Sequence, residues 1–227
     1  IWHALSVLCR QTKIAQVYVV LSAGDAWWAG YDWSSLGDTL RPVFCGGATR
    51  AESVVNGLAA MAGELAEDDW VLVHDAARPL IRRDTIEELI RVVRLKGAAI
   101  VAVPEKNTIK IASKERIVSS TPARHTLWQV QTPQGFRREI LMEANRKADE
   151  DGFLGTDDAS LVERLGIEVH IVEGDYSNIK VTTPEDMVIA EAILRQDMGA
   201  GELMKTAVHE AKRLLGGVVR RRKEDGL

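Results

Sequence analysis

Asp75 and Arg78 sit in the stretch His74-Asp75-Ala76-Ala77-Arg78-Pro79, directly after an apolar run. A carboxylate at the end of a strand can take Mg²⁺, directly or through water, or accept from a substrate hydroxyl. A guanidinium offers a planar donor fork suited to phosphate. Ala76 and Ala77 keep the surface low, so a flat or bulky group can lie on it. The same six residues also make an ordinary Asp-capped turn with Arg78 in a surface ion pair.

A second stretch, Phe44 to Ser53, reads FCGGATRAES. Gly46 and Gly47 allow close backbone approach, and the helix start behind them offers N–H groups and the positive end of a dipole. Ala48, Arg50 and Ser53 would then border a nucleotide; the alternative is a tight strand-to-helix turn with a surface arginine. Lys180 falls within the apolar run NIKVT, where a cation must emerge toward water, pair with an anion or bear desolvation. Thr132 in VQTPQGF and Thr156 in GTDDAS read as hydroxyls at loop-to-helix junctions, where helix capping is the usual role. Thr108 and Arg124 carry no signal by themselves. His74, His125 and His170 lack ligand spacing, so no transition-metal site is assigned.

The elements that must hold these groups alternate. IWHALSVLCRQ has helical spacing, and VYVVLS is a β-branched run of the kind covered on both faces. RPVFC is a shorter strand behind a loop carrying Trp27, Trp28 and Trp33. Thr49 and Glu52 have capping-box spacing ahead of a helix, and WVLVHD is the next strand. Asp84 and Glu87 mark a helix that Gly97 stops, and AAIVAVP returns as a strand. Ile109, Ile111, Ile117 and Val118 suggest a hairpin around 113–116, an arm leaving the sheet. FRREILMEANRKA and, with Thr156 as N-cap, DDASLVERL are helical; IEVHIV and NIKVT are strands; Thr183-Pro184-Glu185-Asp186 launches a last helix. Repeated β-α-β units with uninterrupted apolar strands mean an α/β fold with a doubly wound, mostly parallel sheet. Such sheets bind ligands beyond the carboxyl ends of their strands, where the HDAARP turn falls.

The 227 residues, 46% apolar and 27% charged, suit one soluble α/β domain. A net charge of −4 argues against a general nucleic-acid binder, which needs a basic face. An anionic ligand must therefore be held by locally placed cations and backbone N–H groups. Cys9 and Cys45 form no metal pattern and read as free thiols of a reducing cytosol. No apolar run approaches the roughly 20 residues of a membrane span, and no cleavage signature opens the chain. The end, HEAKRLLGG and then RRRKEDGL, reads as a helix followed by a basic tail.

GGATRAESV, VHDAARP, NTIK, RHTLWQVQTPQGF, GTDDAS and NIKVTTPEDM occur in the order seen in one family. Over about residues 1–196 the chain resembles the 2-C-methyl-D-erythritol 4-phosphate cytidylyltransferases, CTP-dependent enzymes of non-mevalonate isoprenoid synthesis. The resemblance implies a Rossmann-like nucleotidyltransferase sheet with a β-arm, about 105–127, that exchanges between subunits of a homodimer. It leaves 197–227 as a C-terminal extension. It implies a cytoplasmic enzyme in which a polyol phosphate attacks the α-phosphorus of CTP, with Mg²⁺, and pyrophosphate leaves. By position, Gly46, Gly47, Ala48 and Ser53 would hold cytidine with Ala76 beside it. Asp75 would lie between nucleotide, metal and substrate. Arg78, Thr108, Arg124, Thr132 and Thr156 would surround the methylerythritol phosphate, Thr108 and Arg124 from the neighbouring subunit. Lys180 would neutralise the reacting phosphorus centre, supported by Thr182.

The family opens with a strand and a Gly-rich loop carrying an Arg and a Lys around the triphosphate. This sequence starts at what reads as the helix after that segment, so several dozen further residues are expected in front. Two other readings follow: a cytidylyltransferase for another polyol phosphate such as ribitol 5-phosphate, or a non-catalytic nucleotide-binding or dimerisation remnant. A dinucleotide-dependent oxidoreductase is disfavoured, since no G-x-G-x-x-G follows a strand.

Overall fold

Residues 1–66 and 68–196 are described by the computed structural model, and the chain falls into two compact units, Ile1–Lys180 and Val181–Leu227. The first unit runs α1 (Trp2–Leu8), β1 (Val17–Ser22), β2 (Leu40–Gly46), α2 (Arg50–Ala60), β3 (Trp70–Val73), α3 (Arg83–Lys96) and β4 (Ala98–Pro104). It continues through β5 (Ile111–Ala112), β6 (Val118–Ser120), β7 (Trp128–Arg137), α4 (Arg138–Glu150), α5 (Asp158–Glu163) and β8 (His170–Glu173). β1 and β2 pair in parallel, and a four-stranded sheet has the order β3-β7-β4-β8. In it β3, β4 and β8 share one direction, and β7 runs against them.

β4 shows why the chain folds in layers. Its residues Ala98 to Val103 are all buried, so both faces of the strand must be covered. Ala98 and Ile100 pack with Phe136, Leu141, Ala144 and Val162, which brings α4 and α5 to one face. Ala99 and Val101 pack with Leu89, Val93 and Val172, which brings α3 to the other. A further core joins Leu5 and Leu8 of α1, Val17 and Val19 of β1, and Ile86 and Ile90 of α3. The α/β, doubly wound expectation holds. The hairpin is also as expected: β5 and β6 pair around a turn in which Arg116 N–H bonds Ser113 O.

β7 departs from the sequence reading, which placed Thr132 at a loop-to-helix junction. Thr132 lies inside a ten-residue strand and is buried. Pro and Gly are turn signals, and VQTPQGF contains both. Pro133 is accommodated where the pairing with β4 shifts register between Ile100 and Ala102, and β3 pairs no further along than Gln134. Gly135 is required for close approach, since a Cβ there would sit 2.5 Å from Val93 Cγ2 and 2.8 Å from Leu72 Cδ2.

Four smaller expectations are corrected. NIKVT is not a strand: residues 174–183 join no sheet, and the Asn178 side chain ties the segment to β7 through Gln131 Oε1 and Thr132 O. The N-cap of α5 is Asp157, not Thr156; Asp157 Oδ1 accepts from Ser160 N–H, and a carboxylate meets the helix dipole better than a hydroxyl does. α3 begins after Arg82 with no side-chain cap, so Asp84 sits inside its first turn. Thr49 does cap α2 by accepting from Glu52 N–H, but the Glu52 carboxylate turns to Ala48 N–H instead of closing the box on Thr49.

In the second unit a helix spans 184–196. Asp186 Oδ2 accepts from the N–H groups of Thr182 and Thr183, as the Thr-Pro-Glu-Asp signature requires. The expected C-terminal extension and basic tail lie outside the described residues. Among the described residues no helix is long and apolar enough to cross a membrane.

Candidate active site

Three segments remote in sequence meet at Asp75. The residue follows the carboxyl end of β3, and its carboxylate is gripped from both sides. Arg50 Nε donates to Oδ1 at 2.9 Å, and Lys180 Nζ lies 2.9 Å from Oδ2. Arg50 is the first residue of α2, so the turn after β2 delivers it; Lys180 comes from the segment beyond β8 that Asn178 anchors. Burial alone would raise the Asp75 carboxyl, but the bonds from Lys180 and Arg50 outweigh it and hold the group below the usual carboxylate range.

Arg50 has a second anchor. Its Nη2 lies 2.8 Å from Oδ2 of Asp158, an almost fully buried carboxylate at the start of α5. Burial pushes the Asp158 carboxyl up, against the pull of Arg50. For Arg50 the balance is reversed: burial would lower it, but the charges and bonds of Asp158 and Asp75 raise it. The site therefore contains two anions and two cations in one chain of contacts, Asp158–Arg50–Asp75–Lys180. Lys180 is the most open of the four, with 44% of its side chain exposed.

Arg78 lies on the opposite side of the same turn. Its Nη1 donates to Asn178 O at 2.8 Å and its Nη2 to Val130 O at 3.3 Å, and burial lowers its pKa. Thr132 Oγ1 accepts from Asp75 N–H at 3.0 Å. Arg78, Asp75, Thr132 and Lys180 are thus bound into one network. Ala76 adjoins them in the turn.

At the turn between β2 and α2 the picture differs from expectation. Gly47 N–H donates to Ser53 Oγ at 3.0 Å, and Ala48 N–H donates to Glu52 Oε2 at 2.7 Å. These donors are satisfied by α2's own side chains rather than standing open. Ser53 Oγ in turn donates to Thr49 O. Gly46 ends β2 against the backbone of Leu21.

The remaining residues stand apart. Thr156 is exposed just before the Asp157 cap, whose Oδ2 accepts from Gln134 Nε2 of β7. Thr108 and Arg124 are exposed in the arm; Arg124 Nη1 donates to Lys106 O, and neither residue hydrogen-bonds or ion-pairs with Asp75, Arg78 or Lys180. Thr182 belongs to the second unit, where its hydroxyl donates to Asp186 Oδ2. Three contributors went unrecognised in the sequence. In the sequence Asp158 is only a letter of the helical run DDASLVERL, Asn178 only one of NIKVT, and His74 a histidine without metal partners. The available signal for His74 and Asn178 was a polar side chain beside a candidate site residue.

Mg²⁺ needs few protein ligands when phosphates supply the rest. Among the described residues no three acidic, histidine or cysteine side chains cluster in metal-binding fashion. Asp75 is a half-buried carboxylate already facing cations, and this donor set fits an ion carried largely by a triphosphate.

Comparison with known proteins covers the part of the chain that holds these residues. Residues 1–196 match the family model described as 2-C-methyl-D-erythritol 4-phosphate cytidylyltransferase. The chain is 48% identical over 202 residues to a protein of that name from Azoarcus sp. (strain BH72), covering 88% of this chain and 83% of the relative. A namesake from Dechloromonas aromatica is 46% identical over 196 residues, covering 86% and 84%. Among solved structures, the 2-C-methyl-D-erythritol 4-phosphate cytidylyltransferase of Thermus thermophilus is similar with a TM-score of 0.69 at 33% identity, covering 86% of this chain and 88% of its own. The 4-diphosphocytidyl-2C-methyl-D-erythritol synthase of Anaerococcus prevotii gives 0.74 at 32%, covering 85% and 84%.

Proposed function

The chain belongs to the 2-C-methyl-D-erythritol 4-phosphate cytidylyltransferase family, and from that membership we propose how its own residues carry the reaction. It is a CTP-dependent nucleotidyltransferase of isoprenoid biosynthesis. A phosphate oxygen of 2-C-methyl-D-erythritol 4-phosphate attacks the α-phosphorus of CTP. The bond from that phosphorus to the bridging oxygen breaks, and pyrophosphate leaves. The attacking oxygen is already anionic near neutral pH, so little covalent or proton-transfer work falls to the protein, and positioning and charge neutralisation carry the rate.

The observation that supports this assignment of roles is the junction of Arg50, Asp75 and Lys180. Lys180 neutralises charge on the reacting phosphorus and its oxygens, exchanging its contact with Asp75 for one with phosphate. Arg50 faces the triphosphate. Gly46, Gly47, Ala48 and Ser53 border the cytidine, with Ala76 against it. For Gly47 and Ala48 to donate to the nucleotide, Ser53 and Glu52 must give up their present bonds. Arg78, Thr132 and Thr156 border the methylerythritol phosphate.

Mg²⁺ bound with the triphosphate, with Asp75 as its protein ligand, would shield phosphate charge during the substitution. Thr108 and Arg124 complete the polyol-phosphate site from a second subunit of a homodimer joined through the arm. The exposed apolar side chains of the arm, Ile109, Ile111, Ile117 and Val118, are the reason to expect a partner there. A cytoplasmic location accords with the two free thiols.

The test is pyrophosphate release from CTP and Mg²⁺ with 2-C-methyl-D-erythritol 4-phosphate and, in parallel, ribitol 5-phosphate. Release with the first at a far higher kcat/KM is the expected result. Equal rates would remove the substrate assignment, and CTP binding without release would reduce the chain to a nucleotide-binding protein.

A further inference from the structure

The turn that presents Asp75 and Arg78 is held by a directed chain of hydrogen bonds centred on His74. Asp75 N–H donates to Thr132 Oγ1 at 3.0 Å; Thr132 Oγ1 is 3.1 Å from His74 Nδ1; and His74 Nε2 is 3.0 Å from Arg78 O. Arg78 N–H closes the loop on Asp75 O at 2.9 Å. A backbone carbonyl can only accept, so the proton of the imidazole must sit on Nε2. Nδ1 is then an acceptor, and it takes the single proton of the Thr132 hydroxyl, whose oxygen accepts from Asp75. Of the two neutral tautomers, only the Nε2–H form satisfies every partner.

This arrangement differs from the usual acid-led turn. In an Asx turn the aspartate carboxylate accepts from a backbone N–H nearby in the chain, and so is used up in holding the turn. Here Thr132 takes the Asp75 N–H, and the Arg78 carbonyl is taken by His74. Both Asp75 carboxylate oxygens are left for Arg50 and Lys180. The Arg78 guanidinium leaves from a fixed backbone, and for it to reach a substrate its bonds to Asn178 O and Val130 O must be given up or shared.

We propose that His74 is a positioning residue for cytidylyl transfer, clipping the Asp75–Arg78 turn to β7 through Thr132 so that the carboxylate and the guanidinium reach the substrate from a fixed frame. The proposal rests on the reading given under Proposed function. It also gives Thr132 a definite part. With its proton given to His74 and one lone pair taken by Asp75, the hydroxyl can accept from a substrate hydroxyl but cannot donate to a phosphate.

Three variants of the full chain test this: His74→Asn, His74→Gln and His74→Ala. The Asn carboxamide reaches the place of Nδ1, and so keeps an acceptor for Thr132 while losing the bond to Arg78 O. Gln reaches the place of Nε2 and does the reverse. One unmade buried bond is worth enough to lower kcat/KM for the polyol phosphate about tenfold in Asn and Gln, and about a hundredfold in Ala, while KM for CTP moves less than about threefold. In the unmodified protein, long-range ¹⁵N–¹H correlation should report the Nε2–H tautomer, and Asp75 amide exchange should be slow and become faster in Gln and Ala but not in Asn. An Nδ1–H tautomer overturns the proposal. So does a folded Ala variant with unchanged constants, or a loss shared equally by both substrates that merely follows the melting temperature. If Ala does not fold, Asn and Gln decide. If the unmodified chain releases no pyrophosphate, the functional reading fails, and the tautomer and the Asp75 exchange rates still decide the role of His74 in the turn.

Discussion

Lys180 Nζ stands 2.9 Å from Asp75 Oδ2, although 105 positions separate the two residues in the chain. The pair is open to solvent on the lysine side and enclosed on the aspartate side. An ammonium in this position can move from a carboxylate to a phosphate without leaving an isolated charge behind, because Arg50 still faces Asp75.

That geometry predicts a particular failure for Lys180→Ala. A cation whose contact strengthens as charge develops in the transition state affects turnover more than ground-state binding. By analogy with removal of one oxyanion donor, kcat should fall by about 10²–10³. KM for CTP should change by less than about threefold. Steady-state pyrophosphate release at saturating polyol phosphate measures both. Equal losses in kcat and CTP affinity would make Lys180 a binding residue only.

Asp158→Asn should change stability by less than about 1 kcal/mol at neutral pH, because losing the buried charge relieves desolvation while weakening the bond to Arg50, which Asp75 still holds. Denaturant unfolding measures the change, and a double-mutant cycle with Arg50→Met isolates the pair. The expected coupling is roughly 1–3 kcal/mol. Additive effects would mean that Asp158 acts on α5 alone and has no part in holding Arg50.

How far the sequence revealed this site follows from which forces were local. The uninterrupted apolar run of β4, the cap at Thr49 and the launch of the helix at 184 depend on neighbours within a turn or two, and all were legible. Asp75 and Arg78 were legible because a charged pair right after a strand has few uses. β7 was not, because Pro133 and Gly135 look like turn residues until β3, α3 and β4 are present to explain them. NIKVT was misread for the opposite reason. Its apolar letters suggest a strand, but tertiary bonds from the Asn178 side chain to Thr132 O and from Arg78 to Asn178 O hold it instead. The part played by Asp158 depends wholly on Arg50 arriving from another element, which periodicity cannot show.

Gly47→Ala tests the turn between β2 and α2. A Cβ there would lie 2.3 Å from Glu52 Cγ and 2.6 Å from Glu52 Cβ, so the strain reaches the root of that side chain and not just its end. Overpacking of this kind should cost about 1–3 kcal/mol. It should also displace the carboxylate from Ala48 N–H. Glu52→Ala, which removes Cγ and Cδ but keeps Cβ, should restore only part of the loss when combined with Gly47→Ala. Equal stability of Gly47→Ala and the parent in urea would show that the turn has slack.

The pH dependence of folding should carry the mark of His74. Burial holds this imidazole neutral and lowers its pKa from 6.5 to about 4; the neighbouring Asp75 charge and the Arg78 carbonyl favour the proton, and the Arg78 charge opposes it. The unfolded chain therefore binds the proton first as pH falls. Stability from this group is complete above about pH 6.5, drains away down to about pH 4, and amounts to about 3 kcal/mol in all. Asp75, whose carboxyl is held low, adds its own loss only below its ordinary value of 3.8. Asp158, pushed up by burial, works with the opposite sign, favouring the fold as its raised carboxyl protonates above 3.8. Urea unfolding at about pH 7, 6 and 5, without Mg²⁺ or nucleotide, should show the parent losing stability over this range more steeply than His74→Gln, which has no imidazole to charge. Parallel declines in the two proteins would assign the acid sensitivity to another group.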